Sequence, residues 1–479
     1  MAAVIDVACD GRPPDGLRPR QPQAAAPGRR LAVFAALADA VAFGPGGMLT
    51  REAFLADVAA AAALLPDPAA GVDAAVPAAV INLCEDRDRF LVAFAAAAAR
   101  GLTTLLPPSR TPAAIADVLA QYPGSLCIAE RAPVPAPPGL LLLPATGTPP
   151  ADQAVEALAA ATVVADAVAL VAFTSGSTGT PSPNPKTWAS VACSTAQNLA
   201  ALSDLWPADA VRRLVATVPP QHMYGMELSV LLPLFAAVGV HAARPFFPDD
   251  VARVLAEAGA PALLVTTPVH LRALVESGVA LPPLAGIVTA TAPLPQALAE
   301  TAEARFGCEV RELFGSSETC VIAQRRTACE AHWRPFPGVR LQPQPDGTLV
   351  HAPQLAQPVA LADLVTVADC GGFALCGRQA DLLEIGGKRA SLGDLTRRLL
   401  AVPGVQDGVV LQLDACDRSG VGRIAALAVA PGLDACTILA ALRGAVDPVF
   451  LPRRLRLVDA LPRNETGKLP RAALLALLR

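Results

Sequence analysis

The sequence predicts an α/β protein with a large N-terminal domain of helix-covered sheets and a small α+β C-terminal domain. Three observations support this class. From about residue 31 to 320, short β-branched or leucine-rich runs alternate with alanine-rich stretches at helical spacing. Between about 340 and 378 the pattern changes to short strands with Gly and Asp turns, and from 379 onward it is mixed. Alternation of strands and helices favours parallel sheets covered by helices.

The individual elements follow from local composition and spacing. Six runs in the N-terminal part have the composition of buried strands: Val80–Leu83, Val168–Phe173, Leu214–Val218, Ala262–Thr266, Gly286–Ala290 and Val310–Phe314. Five stretches have helical spacing: Phe54–Leu65, Leu91–Arg100, Ala113–Tyr122, Ala252–Ala258 and Leu294–Phe306. The C-terminal part is predicted to form helices Leu392–Leu400, Cys436–Ala445 and Arg471–Leu478, and strands Val409–Leu413, Ile424–Ala428 and Leu455–Val458.

These patterns divide the chain into three parts. Residues 1–30 are rich in Pro, Arg and Gln and are expected to form a flexible N-terminal arm. Residues 31–378 form the large domain, with a β-rich subdomain at about 340–378, and residues 379–479 form the small domain. The boundary is placed near Gln379–Asp381.

Composition excludes several classes of protein. The chain has 479 residues, 53% of them hydrophobic, and its formal charge of −4 gives no reason to expect nucleic acid or an anionic membrane as a partner. The longest apolar run, Leu228–Ala243, is interrupted by Pro233 and is too short to span a bilayer. Eleven cysteines without a C-x-x-C pair, and no secretory leader in Met1–Arg20, indicate reduced thiols in a soluble, cytoplasmic protein.

Charge and lysine usage are both uneven. Residues 379–479 carry a formal charge of +4, which leaves −8 for residues 1–378. A polyanionic substrate held between the two parts would suit this division, and a solvated surface without a role remains an alternative. Only three lysines occur, against thirty-five arginines: Lys186, Lys388 and Lys468. Each lies in a Gly- or Pro-marked segment. This placement favours a specific role, in which a compact ammonium is directed at one oxygen, over a chance remainder of compositional drift toward arginine.

A Ser/Thr/Gly loop follows one predicted strand, in the segment Phe173–Pro181. Its small residues would let backbone N–H groups converge on an anion, and its hydroxyls would add donors. The candidate anion-binding residues are Thr174, Ser175, Gly176, Ser177, Thr178 and Gly179. No G-K-[ST] closes the loop, so it is not a Walker loop, and the chain has no G-x-S-x-G serine-hydrolase elbow. An ordinary Ser/Gly turn is the alternative.

Four further segments make the pattern specific. Phe314-Gly-Ser-Ser-Glu-Thr319 ends a predicted strand, which places Glu318 at the carboxyl edge of a sheet, where α/β ligand sites lie. Asp363, Gly377-Arg378 and the segment Asn464–Arg471 follow in that order. This order, over the whole chain after the N-terminal arm, resembles the adenylate-forming superfamily of acyl-CoA synthetases, adenylation domains and luciferases.

The resemblance implies an activity and a set of phosphate contacts. Members activate a carboxylic acid with MgATP to an acyl-adenylate and pyrophosphate, then transfer the acyl group to a thiol. By this resemblance Thr174–Thr178 would cradle the β- and γ-phosphates and Lys186 would neutralise them. Glu318 would help to hold Mg²⁺, and Ser317 would contact the α-phosphate.

The resemblance also assigns residues to the ribose, the acid and the thiol. Asp363 and Arg378 would hold the ribose hydroxyls, and Lys468 would bridge the substrate carboxylate and the α-phosphate. His222, in Pro219-Pro-Gln-His-Met-Tyr-Gly225, would gate the acyl pocket, with a structural histidine as the alternative. Val288–Pro293 would lie beside adenine and substrate, or would be an ordinary strand end. The mobile small domain would swing about Ala380–Asp381 and bring Gly387 and Lys388 to a thiol tunnel.

The sequence also departs from the family pattern. The usual lysine lies three residues after the loop glycine, whereas Gly179 and Lys186 are seven apart, with prolines 181, 183 and 185 favouring an extended strap. Where the family usually has T-G-D, this sequence has Leu361-Ala-Asp363. Glu384 stands where the family frequently has lysine. These changes leave the role of Lys186 open.

Substrate and acceptor are less determined. The strap resembles stand-alone synthetases of aryl-polyene pathways, which implies a hydroxybenzoate-type or other acyl substrate. No L-G-G-x-S carrier motif is present, so the acceptor would be coenzyme A or the phosphopantetheine of a discrete acyl carrier protein. An enzyme that stops at the adenylate and a catalytically degenerate nucleotide-binding protein are the alternatives. The oligomeric state does not follow from the sequence.

Overall fold

A computed structural model gives the fold of this chain. It describes residues 29–66, 79–147, 152–175, 181–369, 371–378, 382–385, 388–416, 422–443, 445–464 and 467–478. The expected N-terminal arm, apart from Arg29 and Arg30, and the expected domain boundary at Gln379–Asp381 lie outside these residues. No helix in the described ranges is both long and apolar enough to cross a membrane.

The helices and strands alternate along most of the chain. The helices are α1 (Arg51–Ala63), α2 (Arg87–Ala99), α3 (Pro112–Gln121), α4 (Asp152–Ala159), α5 (Trp188–Leu202), α6 (Met223–Met226), α7 (Leu232–Phe235), α8 (Pro248–Glu257), α9 (Pro268–Ser277), α10 (Gln296–Phe306), α11 (Leu392–Leu400), α12 (Ala435–Arg443) and α13 (Arg471–Leu477). The first half of the strands is β1 (Arg30–Ala32), β2 (Ala40–Gly44), β3 (Gly47–Thr50), β4 (Ala79–Asn82), β5 (Thr103–Leu106), β6 (Leu126–Ala129), β7 (Leu140–Leu142), β8 (Thr162–Val164), β9 (Val168–Ser175), β10 (Pro181–Thr187), β11 (Arg213–Ala216), β12 (Gly239–His241), β13 (Ala262–Thr266) and β14 (Leu284–Thr289). The second half is β15 (Val310–Ser316), β16 (Cys320–Arg325), β17 (Arg334–Pro335), β18 (Arg340–Gln344), β19 (Gly347–His351), β20 (Val359–Leu361), β21 (Asp363–Val367), β22 (Phe373–Arg378), β23 (Leu382–Ile385), β24 (Lys388–Ser391), β25 (Asp407–Cys416), β26 (Gly422–Val429) and β27 (Arg454–Leu457).

The described residues form two compact units. The first draws on Met1–Glu330, Phe336–Gly338 and Ala352–Ala356, and the second on Ala331–Pro335, Val339–His351 and Gln357–Arg479. The β-rich segment therefore groups with the C-terminal residues in this division. The division of the chain at residue 379 remains a prediction.

Two large sheets make up the first unit. One has the order β10-β9-β5-β4-β6-β7, parallel from β9 to β7, with β10 added antiparallel at its edge. The other runs β16-β15-β14-β13-β11-β12-β2-β3 within this unit, parallel except for its two outermost pairings. Helices lie between most of the successive parallel strands along the chain, so the predicted α/β class is confirmed.

Small side chains let α2 pack against strands of both sheets. This helix contacts β4 and β5 of the first sheet and β12 of the second. Its residues from Phe90 to Ala98 are all buried. Alanine has no side chain beyond Cβ, so strands can approach the helix closely on several sides. An alanine-rich stretch that has almost no amphipathic pattern therefore becomes a core helix.

The second unit contains smaller sheets. Its strands pair as β18-β19-β20, β21-β22, β23-β24 and β25-β26-β27. Leu395 and Leu399 of α11 pack with Val410, Ile424 and Ile438 in one core. The predicted mixture of α and β elements after residue 379 is thus present among the residues described there.

Several helix boundaries differ from those expected, and α8 for example begins at Pro248 instead of Ala252. α10 begins at Gln296 instead of Leu294, because the Leu294 N–H donates to Glu312 Oε1 at 2.9 Å and holds that residue outside the helix. α2 begins four residues before Leu91. Its first turn contains Arg87 and Arg89, which are both buried.

Candidate active site

The predicted phosphate loop lies at the carboxyl end of a parallel strand. β9 runs parallel to β5 and ends at Ser175, and β10 returns antiparallel from Pro181, which pairs with Ser175. Residues 176–180 lie outside the described ranges, and so does the side chain of Ser175. Thr174, half-buried, is the described start of the loop. The loop therefore leaves the sheet at the edge where α/β proteins bind ligands.

The strap after this loop is extended, as its prolines suggested. Pro181, Pro183 and Pro185 alternate along β10, the outermost strand of its sheet. An edge position tolerates proline because one side of the strand makes no ladder hydrogen bonds. Lys186 pairs with Leu170, five residues along the strand from the loop end, or roughly 16 Å at the usual rise per residue.

A hairpin turn presents Ser317 and Glu318. β15 and β16 pair up to Ser316 and Cys320, and the turn residues between them are half-buried at Ser317 and Glu318 and buried at Thr319. The Thr319 hydroxyl lies 3.2 Å from the Ser316 backbone nitrogen, which donates to it. Close backbone approach makes glycine necessary at 315, because a Cβ there would lie 2.3 Å from the Cys320 carbonyl oxygen.

The Glu318 carboxylate fits a magnesium ion bound mainly by phosphate oxygens. It has no hydrogen bond or ion pair to any residue in the described ranges. Within those ranges no three His, Cys, Asp or Glu side chains cluster as a metal cage. Mg²⁺ is commonly held by one or two carboxylates together with substrate phosphates and water, so a single half-buried glutamate is the expected protein contribution.

Lys186 and Glu318, two predicted site residues, come together. Lys186 is 5% exposed, and its Nζ donates to the Glu318 backbone oxygen at 2.5 Å. The ammonium therefore lies beneath the turn that carries Ser317 and Glu318. Its predicted contact with the phosphates stays a prediction.

Glu227 also belongs to this region, although sequence reasoning did not select it. It is 2% exposed and accepts hydrogen bonds from Ser194, Asn198 and the Val321 backbone. Burial raises the pKa of Glu227, and these hydrogen bonds and the charge of Lys186 oppose the rise. The available signal was a lone carboxylate that directly precedes the apolar run Leu228–Ala243.

The predicted acid-gating segment contacts the predicted adenine-side run. His222 is half-buried and directly precedes α6, whose Tyr224 is buried and donates from its hydroxyl to the Val288 oxygen at 3.0 Å. Gly225 packs against backbone so closely that a Cβ would lie 2.0 Å from the Pro219 oxygen. These contacts bring together two segments that are more than sixty residues apart in the sequence.

Arg87 supports the same segment and was missed by the sequence analysis. It is fully buried at the start of α2 and donates to the carbonyl oxygens of Ala216 and Val218 at 3.0 and 2.9 Å, and to Ser229 Oγ. Burial lowers the pKa of Arg87. Its hydrogen bonds fix the chain just before Pro219–His222. An arginine between two aspartates resembles a solvated helix start in sequence, so no signal indicated its burial.

In the second unit, the two predicted ribose-binding residues are direct neighbours. Asp363 begins β21 and pairs in register with Arg378, the last residue of β22. The Thr348 hydroxyl donates to the Asp363 backbone oxygen at 2.6 Å, which fixes the strand at this point. The side chain of Arg378 is outside the described set. The pairing places both residues at one end of a two-stranded ribbon.

Lys388 and Lys468 lie on a hairpin and on a turn of the second unit. Lys388 begins β24 and pairs with Ile385, while Gly387 and the side chain of Lys388 lie outside the described residues. Lys468 is exposed on a turn closed by its own backbone: its N–H donates to Asn464 Oδ1 at 2.8 Å, and its oxygen accepts from the Asn464 N–H at 2.9 Å. Gly467 supplies a φ of 78° in that turn.

The fold and these sheet-edge segments define a class, the adenylate-forming enzymes. A family model described as AMP-binding enzyme matches residues 23–354, and the chain belongs to this family. The chain is 31% identical over 296 residues to a 4-coumarate–CoA ligase of Rhodobacter capsulatus, covering 62% of this chain and 73% of the relative. It is 28% identical over 346 residues to a probable 2-succinylbenzoate–CoA ligase of Mycobacterium tuberculosis, covering 64% and 84%.

A solved structure supports the fold at greater length. ATP-bound MatB from Rhodopseudomonas palustris superposes with a TM-score of 0.76 over 92% of this chain and 97% of that chain, at 19% identity. This likeness concerns the fold, and the family match together with the relatives confirms the expected superfamily. Family and relatives together support an AMP-forming ligase, while the acid and the acceptor are not determined by them.

Proposed function

We propose that this protein uses MgATP to activate an aryl or acyl carboxylic acid to an acyl-adenylate, with release of pyrophosphate, and then transfers the acyl group to a thiol. The observation that carries the proposal is the turn at Ser317–Glu318, whose Glu318 backbone oxygen accepts a hydrogen bond from buried Lys186 and whose carboxylate has no partner among the described residues. Membership of the AMP-binding family and similarity to two CoA ligases support it.

The residues have distinct tasks in the proposed reaction. Backbone N–H groups of the loop after Thr174 hold the β- and γ-phosphates, and Ser317 donates to the α-phosphate. Glu318 provides the carboxylate for Mg²⁺, which when bound neutralises phosphate charge. The carboxylate oxygen of the acid attacks the α-phosphorus, the bond to pyrophosphate breaks, and no proton needs to be abstracted because the acid is already ionised. Alignment of two anions is the main requirement.

The remaining roles concern the nucleotide sugar, the ammonium and the acid. Asp363 and Arg378 hold the ribose hydroxyls in this proposal. Lys468 supplies an ammonium where the carboxylate oxygen meets the α-phosphate, and His222 gates the acyl pocket. In the thiol step, Gly387 and Lys388 line the path of the phosphopantetheine arm of coenzyme A or a carrier protein.

The proposal is tested first with Lys468→Ala. The side chain is exposed and the turn is closed by backbone and Asn464 contacts, so stability should change by less than about 0.5 kcal/mol. Acid-dependent pyrophosphate exchange should fall about 10²- to 10³-fold, as expected for one charge-stabilising donor. Arg443→Ala, which removes another exposed cation of the same unit, is the matched control. Near-native exchange in Lys468→Ala with native stability would refute the assignment.

The acid and acceptor require a substrate panel. Pyrophosphate exchange is measured over benzoates, including hydroxybenzoates, cinnamates and short to medium fatty acids. Similarity to a 4-coumarate–CoA ligase and a 2-succinylbenzoate–CoA ligase favours aryl acids in this panel. Product analysis with and without coenzyme A or a carrier protein distinguishes thioester formation from an enzyme that stops at the adenylate. No exchange with any acid, but retained ATP binding, would favour the degenerate alternative.

The excess positive charge of residues 379–479 makes a discrete, acidic acyl carrier protein the second acceptor to test. If that charge attracts the carrier, the transfer rate should fall as ionic strength rises, while transfer to free coenzyme A should change less. An unchanged carrier-transfer rate would argue against electrostatic docking.

A further inference from the structure

We propose that Glu227 is a positioning residue, which braces the turn carrying Ser317 and Glu318 from inside the protein. The inference deepens the proposed function and rests on it for the role of the turn. The brace itself is argued from contacts within the first unit.

The carboxylate of Glu227 joins three elements. Its Oε2 accepts from Ser194 Oγ at 2.5 Å and from Asn198 Nδ2 at 3.1 Å, both on α5. The Val321 N–H lies 3.2 Å from each carboxylate oxygen, at the start of β16. Val321 is three residues after Glu318, so the carboxylate anchors the returning arm of the hairpin directly behind its turn.

Lys186 anchors the same turn at a second point. Its ammonium donates to the Glu318 backbone oxygen, and its charge opposes the rise that burial causes in the pKa of Glu227. Gln354 adds a third contact, from its Nε2 to the Thr319 oxygen at 3.1 Å. Three side chains thus hold the turn: the Lys186 ammonium at the Glu318 oxygen, the Gln354 amide at the Thr319 oxygen and the Glu227 carboxylate at the Val321 N–H.

A buried carboxylate persists only when donors and a counter-charge replace its water. Glu227 is 2% exposed and has three donors, Lys186 is 5% exposed, and the charge of Lys186 favours the ionised form of Glu227. Each charge therefore stabilises the other in the interior. Removing only one of them leaves the other buried without compensation, and removing both avoids that penalty.

The helix around Glu227 has an irregular turn. Residues Glu227–Leu231 are π-helical between α6 and α7. A π turn widens the helix by one residue per turn, and such turns are frequent at functional sites. Within it, Ser229 donates to the Gly225 oxygen at 2.5 Å and accepts from Arg87. The segment with Tyr224 on the acid side is therefore continuous with the brace under the nucleotide-side turn.

The test compares Glu227→Gln with Glu312→Gln. Glu312 is equally buried, at 2%, and lies in β15 of the same hairpin, where it accepts from Leu294, Arg325 and Thr327 at the end away from the turn. Hydrogen exchange is measured on the amides of Ser316–Val321 in the free protein. Glu227→Gln should raise their exchange rates at least about tenfold. After correction for any change in global stability, Glu312→Gln should leave the exchange rates of these amides near the wild-type values.

Activity provides a second measurement. In pyrophosphate exchange, kcat of Glu227→Gln should fall about 10- to 100-fold, and KM for the acid should change little. The reason is that misplacement of the turn affects the transition state more than it affects acid binding. Lys186→Met should behave similarly. In the double variant Glu227→Gln/Lys186→Met the loss should be well below the product of the single losses, because neither charge is left uncompensated.

The outcomes separate the inference from the proposed function. Unchanged exchange at Ser316–Val321 together with unchanged kcat in a folded Glu227→Gln protein would overturn the brace. A wild-type protein without acid-dependent pyrophosphate exchange would overturn the proposed function and leave the hydrogen-exchange result intact. If Glu227→Gln does not fold, Ser194→Ala removes one donor to the same carboxylate and should give a smaller rise at the same amides. No rise there would also overturn the brace.

Discussion

The hairpin that carries Ser317 and Glu318 depends on a single glycine, and Gly315→Ala tests that dependence. A Cβ at 315 would lie 2.3 Å from the Cys320 oxygen and 2.7 Å from Val321 Cα, against an ordinary contact of 3.4 Å or more. The two arms must separate by about 1 Å, and both obstacles are backbone atoms that cannot rotate away. Overpacking of this kind costs about 2–3 kcal/mol.

The kinetic effect follows from the same displacement. A shift of about 1 Å at a positioning group can cost about 10²-fold in rate, so Gly315→Ala should lower pyrophosphate exchange by about that factor under conditions where the protein is folded. The free energy of unfolding is obtained from urea titrations, and kcat and KM from pyrophosphate exchange.

Gly239→Ala is the control for the clash itself. A Cβ added at residue 239 would lie 2.7 Å from the Ala40 backbone oxygen. This contact is in the same sheet, but where β12 pairs with β2 instead of where β15 pairs with β16. Gly239→Ala should lose comparable stability and keep kcat. Native stability and native kcat for Gly315→Ala would show that the close approach of β15 and β16 does not set the geometry of the turn.

Two further predictions concern stability alone. Asp57→Asn breaks a buried ion pair, in which Arg89 Nη1 lies 3.1 Å from Asp57 Oδ2. It should lower the free energy of unfolding, measured by urea titration, by about 3–5 kcal/mol without changing kcat. A loss below about 1 kcal/mol would contradict a buried pair. Burial lowers the pKa of His241, whose Nδ1 accepts from the Ala243 N–H and whose Nε2 faces Glu257. The unfolded chain therefore takes up a proton more readily than the folded one. The contribution of His241 to the free energy of unfolding is complete above the pKa of the unfolded chain, about 6.5, and declines as the pH falls toward the lower pKa of the folded protein. His241→Asn should reduce the decline in the free energy of unfolding measured between pH 7.5 and 5.5. An unaltered pH profile would refute this contribution.

Local signals predicted the fold well where periodicity and burial agreed. The run Ala262–Thr266 is β-rich in composition and is a buried central strand, as expected. The strap at Pro181–Pro185 was expected to be extended, and it is the edge strand β10. In both cases the backbone preference of the residues and their place in the sheet coincide.

The prediction was less complete where charges are buried. Arg87 and Glu227 have the composition of solvated positions, yet both are at most 2% exposed, because distant carbonyls and hydroxyls satisfy them. Their partners are separated from them by 29 to 142 residues, so no window of sequence could contain the pair. Desolvation is favourable only after the sheets have assembled around such groups.

The sequence by itself determined the class of this protein, since the order of its Ser/Thr/Gly loop, acidic turn, aspartate, arginine and C-terminal lysine needs no three-dimensional information to be recognised. Only the tertiary structure decided what Lys186 touches. Its place seven residues after Gly179 left its target open, and the packing of β10 near the β15–β16 hairpin puts the ammonium on Glu318. The reason is physical: a motif is a local property of the chain, whereas the partner of a buried charge is set by which distant backbone groups the folded sheets bring within hydrogen-bond distance.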